Sequence, residues 1–222
     1  MILIIRGHIR NSFENDNLLK LIKDIYNLDT NLKIYIHTWN IFANNISWRS
    51  INQNNTIVSK DIIYDYFNEL KNLIENIIID DDTKIQLIGN IQGKINNSRS
   101  PLIGWKNYWY GKYTIIKHIY DKNIDEDEMI VTLRFDILNN SNNFDTCHII
   151  NFIKNNIGKS FTKNMFIKDT ECFGIDNIYI GNINTIYKLT YQFYYYVDDI
   201  ILKYNDIDNQ ELLVYRVNNT LF

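Results

Sequence analysis

Four short apolar runs, separated by stretches long enough to hold a helix, constrain this chain more than any other feature. They are "ILII" (residues 2–5), "KIYIHTW" (33–39), "TKIQLIG" (83–89) and "EMIVTL" (128–133). Each is short, rich in β-branched residues and bounded by polar residues, which is the pattern of a buried strand. The segments between them have helical spacing. Leu18, Leu19, Ile22 and Ile25 share one face of the first. Ser59 caps the second, whose apolar face runs through Ile62, Ile63, Tyr66, Phe67, Leu70, Leu73, Ile74 and Ile77. Residues 105–120 form the third. Strand and helix in alternation predict an α/β fold, a mostly parallel sheet flanked by helices. Beyond the fourth run we expect a helix over 145–156, strands at "KNMFIK" and "DNIYIG", a Tyr-rich helix over 183–204 and a last helix over 210–217. Residues 44–55 and 90–103 read as loops.

With 222 residues, one proline and eight glycines, no stretch resembles a linker, and a single domain is expected. The chain has 42 isoleucines, 34 asparagines and one alanine, a bias of AT-rich coding, so a single asparagine carries little information. A net charge of −3 argues against a nucleic-acid partner, which calls for a basic stripe. No apolar run approaches the roughly 18–20 residues that span a bilayer. The opening "MILIIRGHIR" is too short for a secretory leader, and Cys147 and Cys172 lack metal-ligand spacing. We therefore expect a cytoplasmic protein with two structural thiols.

In a parallel sheet, ligands bind beyond the carboxyl ends of the strands. "DDD" at 80–82 and "DEDE" at 125–128 each precede a run, so both are expected at the opposite edge as solvated turns. Asp136 directly follows a run, in "RFD" with Arg134. A carboxylate there suits a divalent cation such as Mn2+ or Mg2+, and Arg134 suits a phosphate. An Arg–Asp pair that only fastens the strand end fits equally well. Gly7, His8 and Arg10 follow the first run, where a glycine and a helix start favour an anion. Thr38 and Trp39 end the second, Trp39 either to stack on a ring or to cap the core. Trp105 and Lys106 open the helix before "RFD" and are further candidates. The run "YQFYYYVDDIILKY" reads as a packing helix, with a homodimer surface as the other possibility.

Taken in order, "ILIIRGHIRNSF", "KIYIHTW", "NYWYGKYTIIKHIYDKN" and "EMIVTLRFDIL" resemble GT-A-type glycosyltransferases of bacterial surface-polysaccharide loci and giant viruses. "GIDNIYIGNINTIYKL" and "NQELLVYRVN" resemble later segments of the same group. The resemblance covers most of the chain, with Arg-Phe-Asp its most specific part. It implies a Rossmann-like GT-A sheet over 1–222, with 1–135 as the nucleotide-binding part and 136–222 as the acceptor side. It implies a nucleotide-sugar donor, a glycan or glycolipid acceptor and, if the source is viral, the host cytoplasm. Asp136 stands where such enzymes carry Asp-x-Asp, and Arg134 replaces the first acid of that motif. Gly7, His8, Arg10, Thr38, Trp39 and Arg134 are then the expected donor-binding residues. An inverting enzyme also needs a base, for which Asp169, Glu171, Asp176 and Glu211 are candidates, Asp176 and Glu211 foremost. A nucleotidyltransferase or a catalytically silent binding domain on the same fold are the alternatives.

Overall fold

The computed structural model describes residues 1–222 apart from 48–50, 97, 140–144 and 169–173, with the backbone alone described for 168 and 174–176. Strand β1 (Ile2–Arg6) lies in the middle of a six-stranded sheet. It pairs in parallel with β2 (Lys33–Trp39) on one side and β6 (Ile130–Arg134) on the other. A small antiparallel hairpin, β3 (Ile41–Ala43) and β4 (Asn54–Ile57), stands apart. Strand β5 (Ile74–Asp80) extends the parallel set beyond β2. On the far side β7 (Met165–Lys168) and β8 (Gly174–Gly181) complete the order β5-β2-β1-β6-β8-β7, with only β8 running against the others. The chain is thus a mixed α/β domain with a mostly parallel, Rossmann-like sheet.

Strand alternation sorts the apolar residues into two layers. Leu3, Ile5, Ile34, Ile36, Val131 and Leu133 face α1 (Asn17–Leu28), α2 (Lys60–Phe67) and α4 (Thr146–Lys154). Ile2, Ile4, Tyr35, Ile130 and Tyr179 face α3 (Leu102–Tyr120), α5 (Ile183–Lys203) and α6 (Gln210–Leu221). Both faces are covered, as a sheet with this register requires. The tyrosine run on α5 is largely a seam against α3. Tyr113 stacks on Tyr194 at 4.3 Å and Tyr120 on Tyr187 at 4.1 Å between ring centroids, while Tyr195 and Tyr196 stay exposed. No helix among the described residues is long and apolar enough to cross a membrane.

One expected strand is corrected. Residues 83–89 form no strand, and the helix begun at Ser59 does not run to Ile77. It ends at Phe67, where Asn68 takes a left-handed backbone (φ 47°) and a 3-10 turn over Asn68–Leu73 leads into β5. Ile74 and Ile77–Ile79 continue a helical stripe on paper, but four β-branched residues within six positions suit a strand better. The shift has a consequence for the acidic cluster. Asp80 ends β5 and Asp81 and Asp82 follow it, so all three lie at the carboxyl edge, not the amino edge. The cluster at 125–128 does precede its strand, β6. The polar stretch after β3 is shorter than expected, because Asn54–Ile57 pairs as β4.

Candidate functional site

Register brings charge together at the carboxyl edge. Arg6 is the last residue of β1 and pairs with His37 of β2 and Arg134 of β6, so two arginines and a histidine stand in one row. Beyond the row, Gly7 turns the chain at φ +91°, where an added Cβ would meet nothing within 4 Å. Arg10 also has a left-handed backbone, φ 54°, held by its N–H donating to the Phe42 carbonyl at 2.8 Å. A non-glycine residue kept in that conformation stores strain, which is most often found at working sites.

An open cleft of about 930 Å³, its mouth included, lies above this row. Arg6, Gly7, His8, Arg10, Trp39 and Arg134 line it together with Trp105, Asn107 and Tyr108 of α3, Asn177 of β8 and Glu211 of α6. The Arg6 guanidinium donates to the Tyr108 hydroxyl at 2.6 Å. Arg134 spans Asp136 with both arms, Nε to Oδ1 and Nη2 to Oδ2, each at 2.7 Å, and its Nη1 donates to Asn177 at 3.3 Å. Arg10 Nη1 reaches the same Oδ2 at 2.5 Å. One carboxylate, 3% exposed, therefore holds two guanidinium groups side by side. Below the floor, Lys112 is buried with its Nζ 4.0 Å from the Trp109 ring and 4.1 Å from that of Tyr108. Aromatic faces compensate its charge in part.

His8 stacks on Trp39, and Trp39 on Tyr110, with centroids 5.8 and 6.0 Å apart. Burial and then the charges of Arg10 and Arg134 push the His8 pKa down to about 3, so the ring is neutral near pH 7. The misplaced acids support this stack. His37, fully buried, pairs with Asp80 at 3.1 Å, and Asp82 accepts a hydrogen bond from Asn44 and lies 4.0 Å from His8. Burial, then the Asp80 charge, raises the Tyr110 pKa.

Of the residues expected from sequence, Gly7, His8, Arg10, Trp39, Arg134 and Glu211 line the cleft. Thr38 does not. It is fully buried, and its hydroxyl donates to the Gly7 carbonyl at 3.0 Å, tying β2 to the turn. Asp136 lies under the arginines instead of facing the cleft. Trp105 lines the cleft, whereas Lys106 is turned away to pair with Asp198 at 2.8 Å. Asp176 sits on β8 with its side chain outside the described set, and Asp169 and Glu171 lie outside the described residues. Asn44, Asn107 and Asn177 were missed, because in so asparagine-rich a chain nothing marked them.

The site does not fit the cation expected at Asp136. Both of its oxygens are engaged by guanidinium N–H groups, and among the described residues no three His, Cys, Asp or Glu side chains are grouped to hold a metal. Among the described residues that line the cleft, three arginines face one carboxylate, Glu211. Arginine forks of this kind suit an anion such as phosphate.

Fold and cleft together define an α/β domain with an arginine-lined cleft at the carboxyl edge of its parallel strands. No protein-family model matches the chain, and no curated protein matches it in sequence. Among solved structures it is similar to the galactosyltransferase LgtC, determined with donor and acceptor sugar analogues. The identity is 12%, the match covers 99% of this chain and 70% of that one, and the TM-score is 0.42.

Proposed function

We propose that the chain is a glycosyltransferase that takes a hexose from a nucleotide-sugar donor and passes it to a glycan or glycolipid acceptor. The observation that carries this reading is the convergence of Arg6, Arg10 and Arg134 on one cleft at the carboxyl edge of the sheet, in an otherwise acidic protein. The resemblance of "RGHIRNS" and "RFD" to GT-A-type enzymes supports it from the sequence side. Breaking the anomeric C–O bond leaves both electrons on the diphosphate, and the arginines meet that growing charge. The His8–Trp39 pair offers aromatic surface beside them, and Asn107 and Asn177 offer amide groups for hydroxyls. Glu211, which lines the same cleft, takes the proton of the acceptor hydroxyl if the reaction inverts. Asp176 is the other candidate for that role.

A thermal-shift panel of UDP, GDP, CDP, dTDP and ADP tests the reading. One of them should stabilise the protein, by about 2.7 kcal/mol at a hundred times its Kd. That is a rise of roughly 5–11 °C for a domain of this size. The response should disappear in Arg10→Met and Arg134→Met. Release of the matching nucleoside diphosphate from its sugar conjugate separates an enzyme from a silent binding domain. No response to any nucleotide, with no release, overturns the proposal. A response to nucleoside triphosphates alone favours a nucleotidyltransferase.

A further inference from the structure

We infer that this cleft neutralises its diphosphate with arginine alone, and that Asp136 is a positioning residue for Arg10 and Arg134 instead of a metal ligand. The inference rests on the donor reading above and concerns how that same site handles charge. Mg2+ needs oxygen ligands at about 2.0–2.1 Å in open, near-octahedral geometry, and it keeps several waters. Asp136 offers neither space nor free direction. Its side chain is 3% exposed, Arg134 takes both oxygens in a planar two-armed grip, and Arg10 takes one of them again. A cation placed there would face two guanidinium charges at contact distance.

The grip explains why a carboxylate sits under an anion site at all. Two arginines side by side repel each other and would swing apart into solvent. A shared, buried carboxylate fixes both at its own rim, where both side chains line the cleft. Asp136 is shared between Arg10 and Arg134, and Arg6 lines the same cleft, so three guanidinium groups stand where a diphosphate would lie. The strained Arg10 backbone points the same way, since φ 54° is what lets this residue turn back over the end of β6. The resemblance puts Arg134 where an acid would stand, and the structure adds a second arginine, Arg10 from the first loop, on the same carboxylate.

Isothermal titration tests this on the whole chain, with inorganic pyrophosphate and the panel of nucleoside diphosphates, first in EDTA and then in Mn2+ or Mg2+. The expected result is a Kd that changes less than threefold between the two conditions. Electron paramagnetic resonance on the wild type should show no loss of the free Mn2+ signal on adding protein. Asp136→Asn should weaken pyrophosphate and diphosphate binding at least tenfold in EDTA while leaving the affinity for the bare nucleoside within threefold. A merely structural loss would lower both. A tenfold or larger gain in affinity with Mn2+, abolished by Asp136→Asn, overturns the inference and leaves the donor reading standing. No binding of pyrophosphate or any nucleoside diphosphate in either condition overturns both.

Discussion

Helix α3 lies against the sheet at Gly111, and that contact fixes both walls of the cleft. A Cβ built on Gly111 would stand 2.6 Å from Cε1 and 2.7 Å from Nδ1 of His37, well inside ordinary contact. The ring has no room to yield. It is fully buried, held to Asp80 at 3.1 Å, and edge-packed against Trp39 at 5.2 Å. Overpacking of this kind costs about 1–3 kcal/mol. Alanine returns about 1 kcal/mol in a helix interior. Gly111→Ala should therefore destabilise the protein by up to about 2 kcal/mol, which lowers Tm by roughly 2–4 °C per kcal/mol. In a His37→Ala background the clash is gone and only the helical gain remains, so the same change should stabilise, by about 1 kcal/mol. Urea unfolding of the four proteins gives the coupling. Equal losses in both backgrounds, or stabilisation of the wild type, would refute the claim that this glycine is set by the His37 contact.

Three further outcomes follow from the geometry. His8 has its folded pKa depressed to about 3 from 6.5, so the unfolded chain binds the extra proton between those values, and stability falls as pH drops through that window. The unfolding free energy from urea titrations between pH 7 and pH 4 should fall by up to about 1.4 kcal/mol per pH unit below 6.5 from this group, and His8→Phe should flatten that slope. Thr38→Val strands the Gly7 carbonyl and should cost about 1 kcal/mol of stability, read by chemical denaturation, with weaker nucleotide binding because the turn loosens. Glu211→Gln should lower kcat by about 10²–10⁴-fold with donor Kd unchanged if Glu211 is the base of an inverting transfer.

The central strands were legible because their apolar residues run without a break and end at polar turns. Ile2–Arg6 and Ile130–Arg134 both run parallel in one sheet, as the order of elements implied, while their direct pairing is seen only in the structure. The third strand was misplaced because the isoleucines before Asp80 fall at positions that satisfy both a helical stripe and a strand, and composition has little alanine to separate the two. What ended the helix was a left-handed turn at Asn68, and one asparagine among 34 announces nothing. The same blindness hid Asn44, Asn107 and Asn177, whose roles depend on which elements the fold brings together.

Sheet edge remained the right criterion for sorting acids; the strand boundary fed into it was wrong. With β5 ending at Asp80, three more acids join the carboxyl edge, yet they do not make the cleft acidic. Asp80 is held to His37, and Asp82 accepts from Asn44, so their charge lies behind the Trp39 stack. Asp136 likewise lies beneath Arg10 and Arg134. Asp82 and Asp136 each support neighbours that line the cleft, Asp80 holds the buried His37 against Trp39, and of the described charged residues that line the cleft Glu211 alone is acidic. That division, acids behind and arginines in front, is why a cleft in a protein of net charge −3 suits a diphosphate better than a neutral glycan alone. Of the described cleft-lining residues Glu211 alone is a carboxylate, so under the proposed reading it is the first base to test, with Asp176 the other candidate.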